Sequence, residues 1–170
     1  VQAISQRVTS LESDKIQAEQ EEVAGTIKDT PIIQAFKEWK LVVPEHFNQD
    51  VMFQTELNKA DVERAVNELV RHHDMLRGVF RNEALEVLPV KDSNTFAMTY
   101  FDFTNKELNE DEIGTLCTEI QQSISLEDGL LLKGAMFATA EGNYVMLCVH
   151  HLVMDGVSLW MTLELWDSRL

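Results

Sequence analysis

The run Tyr144-Val145-Met146-Leu147-Cys148-Val149-His150-His151 constrains the fold most. It is apolar at both odd and even positions, so as a strand it puts hydrophobic side chains on both faces of a sheet. A central strand covered on both sides tolerates that. The segment before it, Leu130 to Thr139, is also strand-like, and Glu141-Gly142-Asn143 offers a turn between the two. What must cover this pair is legible upstream. Val62, Ala65, Val66, Leu69, Val70, His73 and Leu76 recur at helical spacing, with Asn58 as a candidate N-cap and Asp61 in the first turn. Ile113, Leu116, Cys117, Ile120 and Ile124 repeat the pattern behind Asn109.

Further strands are expected at Phe47 to Leu57, Gly78 to Arg81, Leu85 to Val90 and Phe96 to Phe103, where β-branched and aromatic residues gather. The order is then strand, helix, three strands, helix, two strands, helix. This reads as an α/β two-layer sandwich with a mixed, largely antiparallel sheet. The last helix, Val157 to Leu165, is apolar nearly all round and therefore expects burial on all sides. The given sequence stops five residues later, so its packing partners are expected in sequence beyond Leu170. At the other end, Val1, Ile4, Val8 and Leu11 suggest a short amphipathic helix leading into an acidic linker. Residues 1–25 are read as that linker and 26–170 as one globular unit.

Composition narrows the function. The chain has 14 Lys and Arg against 29 Asp and Glu, a net charge of −15. No basic patch offsets it; the densest basic stretch, around Arg71 and Arg77, is broken by Asp74. Nucleic acid is excluded as an expected partner. No apolar run is long enough to span a bilayer, and no basic start with an apolar core marks a signal peptide. A cytoplasmic location is the expectation. Cys117 and Cys148 sit among apolar residues and read as buried small hydrophobes, neither a disulfide nor a metal pair.

The chemistry gathers at His150-His151-Leu152-Val153-Met154-Asp155-Gly156. If the strand runs through both histidines, their side chains alternate faces, which disfavours chelation of one metal, and no metal is expected. One imidazole at a strand end, before an Asp-Gly turn, suits proton transfer, since it titrates near pH 6.5. A lone histidine is more often a satisfied core or surface residue, so geometry alone leaves a catalytic role open.

HHLVMDG resembles the HHxxxDG signature of the acyltransferase superfamily that includes chloramphenicol acetyltransferase and the condensation and epimerization domains of nonribosomal peptide synthetases. Other segments follow in the family's order. Arg71-His72-His73-Asp74-Met75-Leu76-Arg77 resembles its RHxxLR segment. Glu127-Asp128-Gly129-Leu130-Leu131-Leu132 resembles the stretch before its penultimate strand, and Thr30-Pro31-Ile32-Ile33-Gln34 resembles TPIQ with one extra isoleucine. Two features favour the epimerization branch: His46-Phe47-Asn48-Gln49 and Asp155-Gly156-Val157-Ser158. Leu159 before Trp160 departs from that branch.

The resemblance implies a chloramphenicol acetyltransferase-like N-terminal lobe whose C-terminal lobe is absent. It implies that His151 is the acid/base and His150 a buried orienting residue. Asp155 turns away and pairs with Arg77, and Gly156 permits close approach or a positive φ. The expected reaction is epimerization of an aminoacyl or peptidyl thioester by α-proton exchange. The partner is a carrier domain presenting a phosphopantetheine arm, with no cofactor bound directly; the second lobe and neighbouring synthetase modules complete the set. Alternatives are a condensation domain, a non-catalytic docking lobe, and a small acyltransferase with its site at a subunit interface. The isolated lobe is expected to be inactive. Trp160 and Trp166 read as core, and Glu164 as remote from the site.

Overall fold

The computed structural model describes residues 22–106, 109–156 and 158. The expected N-terminal helix, and the apolar segment with Trp160, Glu164 and Trp166, lie outside them. Among the described residues, seven strands and three α-helices follow in the order β1 (Gly25–Thr26), α1 (Pro31–Trp39), β2 (Asn48–Thr55), α2 (Lys59–His72), β3 (Gly78–Arg81), β4 (Ala84–Val87), β5 (Thr99–Phe103), α3 (Glu110–Gln122), β6 (Leu132–Thr139) and β7 (Gly142–His150).

The main sheet has the order β2-β7-β6-β5. β7 pairs antiparallel with β2 and β6, while β5 joins β6 in parallel. The sheet is thus mixed and largely antiparallel, as expected, and β7 is central and buried from Val145 to His150. The small strands β1, β4 and β3 form a second, antiparallel sheet that the sequence did not separate from the first. Its β1 begins inside the expected linker. Val23 and Glu22 are also tied to the body, through Arg77 and the Val90 amide.

α2 forms where its pattern and cap coincide. Asn58 Oδ1 accepts the Asp61 amide at 3.0 Å, and Val62, Val66 and Val70 are buried. The helix ends at His72, earlier than its apolar spacing suggests; His73 is extended and Asp74–Arg77 is a 3-10 turn. Arg77 supplies a reason, because its Nη1 donates to the carbonyls of Val70 (3.1 Å) and Arg71 (3.0 Å). These belong to the last turn, whose carbonyls have no partners along the helix. α3 follows Asn109, which caps Asp111 N at 2.9 Å. It lies over the face of the sheet that carries Asp50, Lys133 and Cys148, with Gln121 donating to Asp50 at 2.7 Å. The opposite face carries Gly134 beside Leu147. A Cβ on Gly134 would stand 2.8 Å from the Phe96 ring, so glycine there lets Phe96 lie on the sheet.

Three expected strands are shorter than read. Phe96 and Met98 are buried, but their backbone groups go to α2 side chains: Phe96 N–H to Asn67 Oδ1 and Met98 N–H to Glu63 Oε1. β4 stops before Pro89, which has no N–H for a ladder. β6 starts at Leu132, after a turn in which Gly129 and Leu130 both have positive φ. The β6–β7 turn is Ala140-Glu141, with Gly142 already paired to Thr139. α1 was not read as a helix, although Thr30-Pro31 is a helix start with proline at its first position, and Ile33 and Phe36 are its buried pair.

Candidate functional site

The site is where β7 ends. The strand stops at His150, and His151 opens a turn, where the sequence reading ran the strand through both. The ring of His150 explains the stop. Its Nδ1 accepts the Leu152 amide at 3.2 Å, and Val153 N–H bonds the His150 carbonyl at 3.1 Å, which folds the chain back over the strand end. Its Nε2 meets the Pro44 carbonyl at 2.9 Å. A carbonyl can only accept and an amide N–H can only donate, so His150 is the neutral tautomer protonated on Nε2. Burial pushes its pKa down; the Pro44 contact pushes upward and neighbouring His151 down again. His150 is fully buried, against Phe36 and Phe47 edge-on. Its ring is held at both nitrogens, and its protonation is disfavoured.

His151 is less enclosed. Its backbone N–H still continues the β2–β7 ladder, donating to Phe47 O at 2.9 Å. Its ring stacks on Phe47 at 4.8 Å and 29° and is half-buried. Among the described residues neither ring nitrogen is hydrogen-bonded. An imidazole held by a stack, with its nitrogens open, can take a proton from a bound group and return it. Trp39 meets the same Phe47 edge-on at 5.4 Å and is 53% exposed, so it extends the aromatic rim outward.

The supports differ from expectation. Arg77 is buried, with its five N–H groups met by five acceptors: the carbonyls of Leu88, Val70, Arg71 and Val23, and the carboxylate of Asp74 at 2.5 Å. Asp74 therefore takes the place expected for Asp155. Asp155 is exposed, and its Oδ1 accepts the Ser158 amide at 2.7 Å, as an N-cap does. The residue after Arg77, and not Arg77 itself, is the one that meets the turn. A Cβ on Gly78 would lie 2.9 Å from Val153 Cγ1, so the corner after Arg77 packs directly against the histidine turn. Gly156 has no positive φ, and a Cβ there would make an ordinary 3.5 Å contact with Gln49 Oε1. The expected demand for glycine on conformational grounds is not met.

The residues missed by sequence reasoning come from the other side of the ladder. Phe47 supplies the stack, Gln49 Nε2 donates to Met154 O at 3.1 Å, and Asn48 Nδ2 anchors to Glu45 O at 3.0 Å. The signal was present in the string His46-Phe47-Asn48-Gln49, but only strand register places it beside the histidines. Among the described residues no group of three His, Cys, Asp or Glu side chains could hold a metal, and no helix is long and apolar enough to cross a membrane.

A mixed sheet thus brings a buried neutral histidine and a half-buried one together at the end of its central strand. The chain belongs to the condensation domain family of nonribosomal peptide synthetases: the family described as "Condensation domain" matches residues 40–164. It is 34% identical to bacitracin synthase 3 of Bacillus licheniformis over 89% of this chain and 2% of that protein. It is likewise 34% identical to gramicidin S synthase 1 of Brevibacillus brevis over 91% of this chain and 15% of that one. Among solved structures it is similar to the epimerization domain from the third module of tyrocidine synthetase B, with 35% identity and a TM-score of 0.81 over 86% of this chain and 35% of that domain. The first condensation domain of the calcium-dependent antibiotic synthetase shares the fold, at a TM-score of 0.66 and 18% identity over 83% of this chain and 36% of that one. The chain thus spans about a third of the solved domains and a small part of the synthetases.

Proposed function

We propose that this chain is the N-terminal lobe of an epimerization domain and that His151 is one of its two acid/base groups. The observation that carries the reading is the contrast within the histidine pair. His150 is locked neutral by two hydrogen bonds, while the His151 ring is fixed by a stack and, among the described residues, has no hydrogen bond on either nitrogen. The 35% identity to a solved epimerization domain supports this branch over condensation.

The substrate is an aminoacyl or peptidyl thioester carried on the phosphopantetheine arm of a carrier domain. The thioester carbonyl acidifies the α-C–H. His151 removes that proton, the electron pair delocalises into the thioester carbonyl, and a proton returned to the opposite face of the α-carbon inverts it. The second acid/base is supplied by the remaining lobe. In condensation the same imidazole would act on the attacking amine instead.

The test replaces His151 with Ala in the full-length synthetase subunit and follows α-proton exchange into solvent deuterium from a carrier-bound aminoacyl thioester. Loss of exchange by about 10²-fold or more is expected, the usual worth of a general acid/base. Unchanged exchange overturns the reading. Loss of peptide-bond formation with no exchange in the wild type assigns the lobe to condensation.

A further inference from the structure

Gln49 lies outside the histidine motif, yet it holds that motif's far end. It stands on β2, opposite Val149 in the ladder. Beyond His151 the chain leaves the ladder, and three bonds bring it back. Two are local: the Leu152 amide on His150 Nδ1 and the Val153 amide on the His150 carbonyl. The third crosses 105 residues, from Gln49 Nε2 to the Met154 carbonyl at 3.1 Å. The other end of the same amide faces Gly156, where a Cβ would stand 3.5 Å from Oε1. One side chain therefore spans the turn from Met154 to Gly156. Two residues earlier on the same segment, Phe47 stacks on His151 and accepts its backbone N–H.

We propose that Gln49 is a positioning residue for His151: its amide pins Met154 to β2 and so fixes the turn that aims the imidazole off the Phe47 ring. The proposal rests on the acid/base reading of His151. Its physical content is that, among the described residues, the ring itself has no hydrogen bond to hold its angle. The angle is set by the stack on one side and by the path of residues 151–156 on the other. Releasing Met154 lets that path relax, and misplacing a catalytic group by about 1 Å can cost on the order of 10²-fold in rate.

The experiment uses the full-length synthetase subunit and the same exchange assay. Gln49→Leu removes the donor at similar volume. Gln49→Asn keeps the amide but withdraws it by one methylene. Both are expected to lower kcat about tenfold or more, with KM for the aminoacyl carrier held within about twofold. The His151 ring resonances in a ¹H–¹³C spectrum are expected to move while those of His150 stay, because the Pro44 and Leu152 contacts are untouched. Unchanged kcat in the folded fraction of either variant overturns the proposal, as does a rise in KM alone; should Gln49→Leu fail to fold, Gln49→Asn decides. His151→Ala is run alongside. If it keeps wild-type exchange, the acid/base reading falls. If it loses exchange while both Gln49 variants keep theirs, the Gln49 proposal alone falls.

Discussion

At the scale of single residues, the two histidines show how burial divides one motif into two environments. His150 stays neutral because a charged imidazole there would lose water and place a proton on Nδ1, where the Leu152 amide already points. This has a consequence for stability. The unfolded chain takes up a proton at this residue near pH 6.5, and the folded chain only at lower pH, so folding excludes a proton in that window. Stability is therefore expected to be level above about pH 7 and to fall as pH drops below about 6.5. His73, though exposed, carries a shift of the same sign, from partial desolvation and from His72, with Asp74 opposing it. Denaturant titrations between pH 5 and 8 should show a shallower pH slope in His150→Gln and in His73→Asn than in the wild type. An unaltered slope in His150→Gln would refute the neutral assignment. Arg77 is the other residue whose surroundings decide its role. Replacing it with Met strands two α2 carbonyls and the partly exposed Asp74, and is expected to cost about 3–5 kcal/mol, read from the urea midpoint.

At the scale of elements, legibility followed from how local each cause was. α2 and α3 were readable with their caps because period, cap and first-turn charge all lie within one segment. α1 was not, since just Ile33 and Phe36 of its residues are buried, too few to set a period. β1, two residues long, has no pattern to show. The Phe96–Met98 stretch has strand-like residues but gives its backbone to Asn67 and Glu63, which no local reading could weigh. The hairpin between β3 and β4 holds a further expectation. Asn82 and Glu83 both have positive φ, at 49° and 59°. Such two-residue turns favour Asn-Gly, because a residue with a Cβ is strained at the second position. Glu83→Gly is expected to raise stability by about 0.5–1 kcal/mol, measured by thermal unfolding.

At the scale of the whole molecule, the histidines were visible in the sequence but their surroundings were not. His151 and His150 stand in one string, whereas Phe47, Gln49 and Pro44 reach them from another strand and the turn before it. Arg77 illustrates the same limit: its position was legible, and its partner was not. The central strand was readable because burial on both faces writes itself into composition. That burial also makes Cys148 inert. Its thiol is pushed up to about 12 by burial and by the nearby Asp50 carboxylate. Iodoacetamide at pH 8 is expected to leave Cys148 unlabelled in the native chain and to label it fully in denaturant, as read by peptide mass spectrometry.

The pairing of β2 with β7 also orders events in time. Residues 48–55 must wait for residues 142–150 before their edge is satisfied, and the bond from Gln49 to Met154 closes one of the longest loops in the described chain. Such non-local pairing is slow, because the entropy of closing the loop is lost before the contacts are gained. On a ribosome, β2 emerges about ninety residues ahead of its partner and stays open-edged for several seconds at ordinary synthesis rates. The contacts around His151 therefore wait for β7, and the nascent chain is most prone to wrong pairing until residues 142–150 have emerged.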